Sequence, residues 1–391
     1  MGNGRLRLLV LAVGYPTESY PAGAFHYEQM QLMAASGIDV TVVVPTPWVP
    51  APLRGTPRWR RYVEVPGRQT DGDVVVLRPR YLTFPRENHW FVPDLSQYLA
   101  VRALGLPRFD IVHGFHILPL GAVARRMARH WSVPYVTTAL GDDINVYPKL
   151  NARNLRVLKR TVAEAARTFA NGATLARATE RLTGHPVADL PLGVSAKRFT
   201  GRLNRGEARE KLGWPTDRSI ALYVGRLVRG KGLEELGAAL DSLRNTRVLG
   251  MVVGTGPLSS LFEGRTNVRC LGQLPPASVA LAMAAADMLV LPSHSEGLPT
   301  VLMEAGLAYL PIVTTDAPGC IDLADEDRAL MVPVGDSVAL AQAIGSVMTD
   351  PESARARAQQ MRAYVESHCN LEANTARLVD LYRELAGRTL Q

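Results

Sequence analysis

Apolar residues in this chain gather into short, nearly unbroken runs separated by longer stretches with helical spacing. In the first half the runs are LRLLVLAV (6–13), VTVVVP (40–45), VVVLRP (74–79), DIVHG (110–114), YVTTAL (135–140) and TFANG (168–172). In the second half they are IALYVGR (220–226), VLGMVVG (248–254), NVRCLG (267–272), MLVLPS (288–293) and PIVTT (311–315). A strand with one wet face alternates apolar with polar residues. A run that is apolar at nearly every position belongs to a strand covered on both faces. Such strands, alternating with helices, build parallel sheets, and two series of them predict two doubly wound α/β domains. The length of 391 residues agrees, because it exceeds what a single hydrophobic core comfortably takes.

The break between the two series falls near PLGVSAKRF (191–199), after which the polar stretch GRLNRGEAREKLGWPTDRS leads into a new first strand. From Pro351 to Gln391 the pattern predicts two helices and no further strand. Residues 46–62, TPWVPAPLRGTPRWRRY, read as a long loop rich in Pro, Trp and Arg. Trp48, Leu53, Trp59 and Tyr62 with Arg54, Arg58, Arg60 and Arg61 suit a lipid headgroup surface or an anionic acceptor, and equally an ordinary exposed loop.

Composition narrows the class. Apolar residues make up 47% and charged residues 20%, as in ordinary globular proteins. Cys270, Cys320 and Cys369 are scattered, without CxxC spacing, and read as reduced thiols in a cytoplasm rather than a disulfide framework or zinc site. The apolar run at the start, Leu8 to Val13, is followed by no small-residue cleavage site and reads as a buried strand, not a signal peptide. No stretch reaches the roughly 18 apolar residues of a spanning helix. The net charge of +8 is uneven: residues 1–195 hold 23 Lys and Arg against 14 Asp and Glu, and residues 196–391 hold 21 against 22. A basic first half suits anionic partners such as a membrane face, a phosphorylated acceptor or nucleic acid, or is simply a solvated surface.

The chemistry concentrates in HSEGLPTVLMEAG (294–306). The strand MLVLPS ends near Ser293, Gly297 and Pro299 turn the chain, and a helix is predicted from about 300 to 308. Glu296 then lies in the loop and Glu304 in the second helical turn, roughly 6–8 Å apart along the axis. Free N–H groups from Leu298 to Leu302 favour an anion at the helix start. The stretch thus offers acceptors for sugar hydroxyls and donors for phosphate oxygens; it also fits a plain strand–helix turn. In YVGRLVRGKGLEEL (223–236), Arg226 and Lys231 follow a strand end, where two cations neutralise a diphosphate as its charge develops.

With these residues in place, the chain resembles the family 4 retaining glycosyltransferases of the GT-B fold. The likeness runs through GRLVRGKG, VVGTGPLSSLF, the long segment from NVRCLG to TTDAPG, and ALMVPVGDSVALAQAI, with LPLGVSAKRF similar to the family's hinge motif. The two glutamates spaced by seven residues, taken with GR…KG, carry it. The resemblance implies two Rossmann-like domains facing across a cleft. An acceptor-binding domain would span 1–194 and a donor-binding domain 195–369, with the final helix, about 370–391, packing back on the first. It implies that Arg226 and Lys231 bind the donor diphosphate, that Glu304 holds the nucleotide ribose, and that Glu296 contacts the transferred sugar. Gly297, Leu298, Pro299 and Thr300 would hold sugar and phosphate oxygens, and the segment Gly272 to Leu274 would lie against the base. The two partners would be a nucleotide diphosphate sugar and a hydroxyl acceptor.

The first half resembles the family less closely. Gly23 precedes a helix at a place where many relatives carry Gly-Gly; here Ala24 follows it. DIVHGFHILPLGAVA (110–124) places His113 and His116 at a strand end, with Phe115 in the slot of the relatives' second histidine. TALGDDINVYP (138–148) resembles a Gly-Ser-Asp segment, with Asp142 in the serine slot and Asp143 in the aspartate slot. His116 and Asp143 are the acceptor-side candidates. GAFHYEQ, PTPWVP, LRPRYLTFP and GDDINVYP look like transferases of bacterial surface polysaccharides or secondary metabolites. Asp71-Gly-Asp73 and Asp325-Glu-Asp327 are the chain's Asp-x-Asp triplets, and the family needs neither, so no metal and no cofactor is expected. The resemblance gives nucleic acid no role and places the protein in the cytoplasm, with contact between the basic half and an anionic membrane left open. The competing reading is a non-catalytic partner protein that keeps the fold and binds nucleotide.

Overall fold

The computed structural model describes residues 5–17, 24–83, 93–199 and 203–389. The chain divides into two compact units. One comprises Met1–Leu192 with Leu371–Gln391, and the other Gly193–Asn370. The first division lies two residues before the expected 194, and the final helix belongs to the first unit.

The first unit holds an eight-stranded sheet. Its spatial order is Ala188–Asp189, Arg167–Ala170, Tyr135–Ala139, Ile111–Phe115, Arg7–Leu11, Asp39–Val43, Val74–Leu77 and Arg68–Asp71. Its inner strand Arg7–Leu11 shows why the runs are continuous. Leu8 and Val10 pack with Met30 and Met33 of the helix Ala24–Ala35, while Leu9 and Leu11 pack with Val123 and Met127 of the helix Ala122–Trp131. Successive side chains point to opposite faces, and both faces are covered, so every position from Leu8 to Leu11 is apolar. The helix Leu371–Thr389 adds Leu378, Val379 and Tyr382 to the first of these cores. Asn374 of that helix donates from Nδ2 to the Pro191 carbonyl at 2.9 Å.

Two expectations need correction here. The sheet is not wholly parallel, because Arg68–Asp71 runs antiparallel to Val74–Leu77. RQTD, polar at every position and half-buried on an edge, carries no apolar run, and Asp71-Gly-Asp73 closes the hairpin. Residues 46–62 are not one loop either. Thr46–Pro47 pairs with Arg80–Tyr81, a 3-10 turn spans Ala51–Leu53, and a helix runs Pro57–Val63 with Pro at its start. Arg54 and Arg60 of this segment, and Arg80 of the paired strand, are engaged locally. Arg54 Nε donates to the Val49 carbonyl at 3.1 Å, Arg60 pairs with Glu64 at 2.6 Å, and Arg80 donates to the Tyr62 and Val65 carbonyls.

The second unit holds six parallel strands in the order Val268–Gly272, Val248–Val253, Ser219–Val224, Met288–Leu291, Ile312–Thr315 and Leu330–Val332. In chain order this is 3-2-1-4-5-6, the doubly wound arrangement whose ligands bind at the carboxyl ends of the strands where the winding reverses. The reversal lies between Ser219–Val224 and Met288–Leu291, paired through Ala221 with Met288. The region read from the sequence for its chemistry follows directly from these two strands. No helix among the described residues is long and apolar enough to cross a membrane.

Candidate functional site

At the reversal of the second sheet, Ser219–Val224 runs into the Arg226–Lys231 turn, and Met288–Leu291 runs into residues 292–299. Two glycines let these loops meet backbone to backbone. Gly232, at φ +66°, lies so close to the Pro292 carbonyl that a Cβ would sit 1.8 Å from its oxygen. Gly319, at φ +84°, would place a Cβ 2.5 Å from the Glu296 carbonyl oxygen. Only a residue without a side chain fits such positions. Two hydrogen bonds fix the same junction: His294 N donates to the Gly230 carbonyl and Glu296 N to the Pro318 carbonyl, both at 2.9 Å.

This scaffold brings Lys231 and Glu296 together. Lys231 Nζ donates to both carboxylate oxygens, at 2.6 and 2.7 Å. Ser293, fully buried, donates from Oγ to Glu296 Oε1 at 2.6 Å, and Thr315 Oγ1 donates to the Ser293 carbonyl at 2.5 Å. The Lys231 and Glu296 side chains keep 19% and 12% of their exposure, so the pair is sheltered yet reachable. Arg226 is exposed, and its carbonyl accepts from the buried Tyr223 hydroxyl at 3.1 Å. Burial pushes the Tyr223 phenol well up, with Glu296 adding to the shift and Arg226 opposing it. Burial likewise raises the nearby Cys320 thiol, to about 11.

The helix after the loop spans Thr300–Leu307, and Pro299 at its N-cap makes no side-chain cap. Its first N–H groups thus have no side-chain cap, and they carry the positive end of the helix dipole. Leu298 is buried in the core of the unit, which leaves only its backbone accessible to a ligand. Glu304, in the second turn, pairs with Arg198 at 3.3 Å between Oε1 and Nη1. Gly272 ends the strand Val268–Gly272 at φ +67°, and Leu274 packs half-buried on the core. Sequence reasoning had no reason to single out Ser293 or Arg198. Arg198 meets Glu304 across 106 residues of chain, and only the fold makes them neighbours.

The first-unit candidates look different. His113 is not at the strand end but inside Ile111–Phe115, fully buried. It shares hydrogen bonds with the Tyr382 hydroxyl at 2.5 Å and Thr138 Oγ1 at 2.8 Å. Burial lowers its pKa to about 3, so it is neutral. His116 follows the strand at φ +68°, half-buried, with Nδ1 lacking a hydrogen-bond partner among the described residues. Asp143 is fully buried and accepts from the N–H groups of Ile117 at 2.7 Å, Leu140 at 3.1 Å and Gly141 at 2.8 Å. Burial pushes its carboxyl up, against His116 and these three N–H groups. Its observed work is to hold the loops after two strands. Gly23 lies outside the described residues. Among the described residues no group of three or more His, Cys, Asp or Glu side chains is placed to hold a metal ion.

Comparison with known proteins decides the class. TuaC of Bacillus subtilis, a glycosyltransferase assigned to teichuronic acid biosynthesis, is 34% identical over 345 residues, covering 87% of this chain and 88% of that protein. The chain belongs to the glycosyltransferases of the GT-B fold. The family described as "Glycosyl transferases group 1" matches residues 204–364, and "Glycosyl transferase 4-like domain" matches residues 22–191. A D-inositol 3-phosphate glycosyltransferase of Geodermatophilus obscurus is 32% identical over 284 residues, 64% of this glycosyltransferase and 62% of that one. Among solved structures, sucrose-phosphate synthase from Thermosynechococcus elongatus superposes with a TM-score of 0.81 at 21% identity, covering 98% and 100% of the two chains. HepE of Anabaena, solved with UDP and glucose, gives 0.72 at 18% identity over 97% and 100%. These structures establish the fold of the glycosyltransferase, and its reaction class is nucleotide-sugar-dependent glycosyl transfer.

Proposed function

We propose that the protein is a retaining glycosyltransferase that moves a hexose-type sugar from a nucleotide diphosphate sugar to a hydroxyl of a growing surface glycan. The observation that carries this reading is the Lys231–Glu296–Ser293 cluster at the reversal point of the second sheet, beside an uncapped helix start. Lys231 and exposed Arg226 supply positive charge where the leaving diphosphate gains negative charge. Glu296 turns its carboxylate to the hydroxyls of the transferred sugar, and Glu304 holds the ribose. The backbone N–H groups of Gly297, Leu298 and Thr300 receive phosphate and sugar oxygens. The bond from the anomeric carbon to the phosphate oxygen breaks as the acceptor oxygen attacks from the same face. The acceptor proton passes to the departing phosphate oxygen. On this reading Glu296 needs no covalent sugar adduct, and the donor replaces one partner of each member of the Lys231–Glu296 pair. The kinship with a protein assigned to teichuronic acid biosynthesis supports a polysaccharide acceptor.

The test is donor turnover by the purified protein and its Lys231→Ala and Glu296→Ala variants. Each variant is expected to lose turnover by about a hundredfold or more, the scale of one removed charge-stabilising group, while melting as a folded protein. Full turnover by both variants overturns the assignment. No turnover by the wild type with any donor favours a non-catalytic nucleotide-binding protein. Inversion at the anomeric carbon of the product sinks the retaining mechanism alone.

A further inference from the structure

Glu304 is not left to find its own rotamer. Its carboxylate meets the Arg198 guanidinium, Nη1 to Oε1 at 3.3 Å, with the two side chains 19% and 29% exposed. Arg198 stands on a short 3-10 turn, Ala196–Phe199, that is anchored on both sides. Phe199 is buried in the core of the unit, Val194 is buried, and Val194 N donates to the Cys369 carbonyl at 2.9 Å. The turn thus presents a fixed cation to a glutamate on the helix that follows the candidate donor loop.

We propose that Arg198 is a positioning residue for recognition of the donor ribose, holding the Glu304 carboxylate aimed before the nucleotide arrives. The inference rests on the reading of Glu304 given above. A carboxylate offers two oxygens and about four lone-pair directions, so a cation at one oxygen orients it without exhausting its capacity to accept ribose hydroxyls. A glutamate without a fixed partner samples several rotamers, and immobilising it at the moment of binding weakens the complex. A planar guanidinium fixes direction as well as charge, which an ammonium does not. The consequence is specific: Arg198 affects affinity for the ribose hydroxyls and not affinity for the rest of the nucleotide.

The experiment compares UDP with 2′,3′-dideoxyuridine diphosphate, and GDP with its dideoxy counterpart, by calorimetric titration of the full chain. Wild type, Arg198→Gln, Arg198→Lys and Glu304→Gln are measured. For the base that binds, the wild type is expected to prefer the ribose form by about tenfold or more, the scale of a hydrogen bond to a charged group. Glu304→Gln loses most of that preference. Arg198→Gln also loses most of it, with dideoxy affinity unchanged, and Arg198→Lys falls between. If Arg198→Gln keeps the wild-type ratio while Glu304→Gln loses it, the positioning role is overturned and the ribose role of Glu304 stands. Equal weakening of both nucleotide forms in Arg198→Gln assigns Arg198 to stability and also overturns the proposal. If the wild type shows no preference, or Glu304→Gln retains it, the reading of Glu304 fails and the inference fails with it.

Discussion

Among single residues, the site is a set of charged side chains held by backbone contacts that tolerate no substitution. Gly319 is the sharpest case. Gly319→Ala would set a methyl group 2.5 Å from the Glu296 carbonyl and force the loop bearing Glu296 to move. Gly335 has the same φ, +84°, with open space around it, so Gly335→Ala carries the left-handed backbone cost alone, about 1–2 kcal/mol. Gly319→Ala is therefore expected to lower the denaturant midpoint further than Gly335→Ala and to weaken nucleotide binding, which Gly335→Ala leaves intact. Equal midpoints and equal affinities would contradict the close-approach argument. Arg226, Lys231 and Glu296 stand out in the sequence as polar residues just beyond apolar runs, and Glu304 as one that interrupts an apolar helix. Their supports do not. Gly319 gives no sign in the sequence that its neighbour is a carbonyl 22 and 23 positions earlier, and Asp143 gives none that its carboxylate is engaged by three backbone N–H groups.

Between elements, the C-terminal helix Leu371–Thr389 is joined to the strand Ile111–Phe115 by a buried polar link in an otherwise apolar core. The Tyr382 hydroxyl, His113 and the Thr138 hydroxyl form a chain of hydrogen bonds, all three side chains buried. Tyr382→Phe keeps the ring and leaves a buried imidazole nitrogen without that partner, which costs about 1–3 kcal/mol. Urea unfolding of the variant should show that loss, and an unchanged midpoint would mean that the link contributes nothing. Elements were legible in proportion to their burial. Strands covered on both faces announce themselves as apolar runs. Arg68–Asp71, an edge strand reading RQTD, and Pro57–Val63, a helix reading PRWRRYV, have no such signature because neither is wrapped by core on all sides. The position of His113 was misjudged for the same reason: a polar residue in an apolar run looks like the end of a strand, unless a distant Tyr382 is there to satisfy it.

On the scale of the whole molecule, the two units share a plan and differ in character. Each has a mainly parallel sheet that reverses its winding beside the strand opening the unit, Arg7–Leu11 in one and Ser219–Val224 in the other. The excess positive charge lies in the first half of the sequence, while the sheltered cation–carboxylate pair lies at the reversal of the second sheet. The central claim is that this second reversal point is a nucleotide site organised by Lys231. The direct measurement is the melting temperature of wild type and Lys231→Ala with UDP, GDP, TDP and ADP. A nucleotide at about 100 times its dissociation constant stabilises the folded state by about 2.7 kcal/mol. At least one nucleotide should raise the wild-type melting temperature, and the same concentration should shift Lys231→Ala far less. No shift with any of the four, or an equal shift in the variant, would contradict the account.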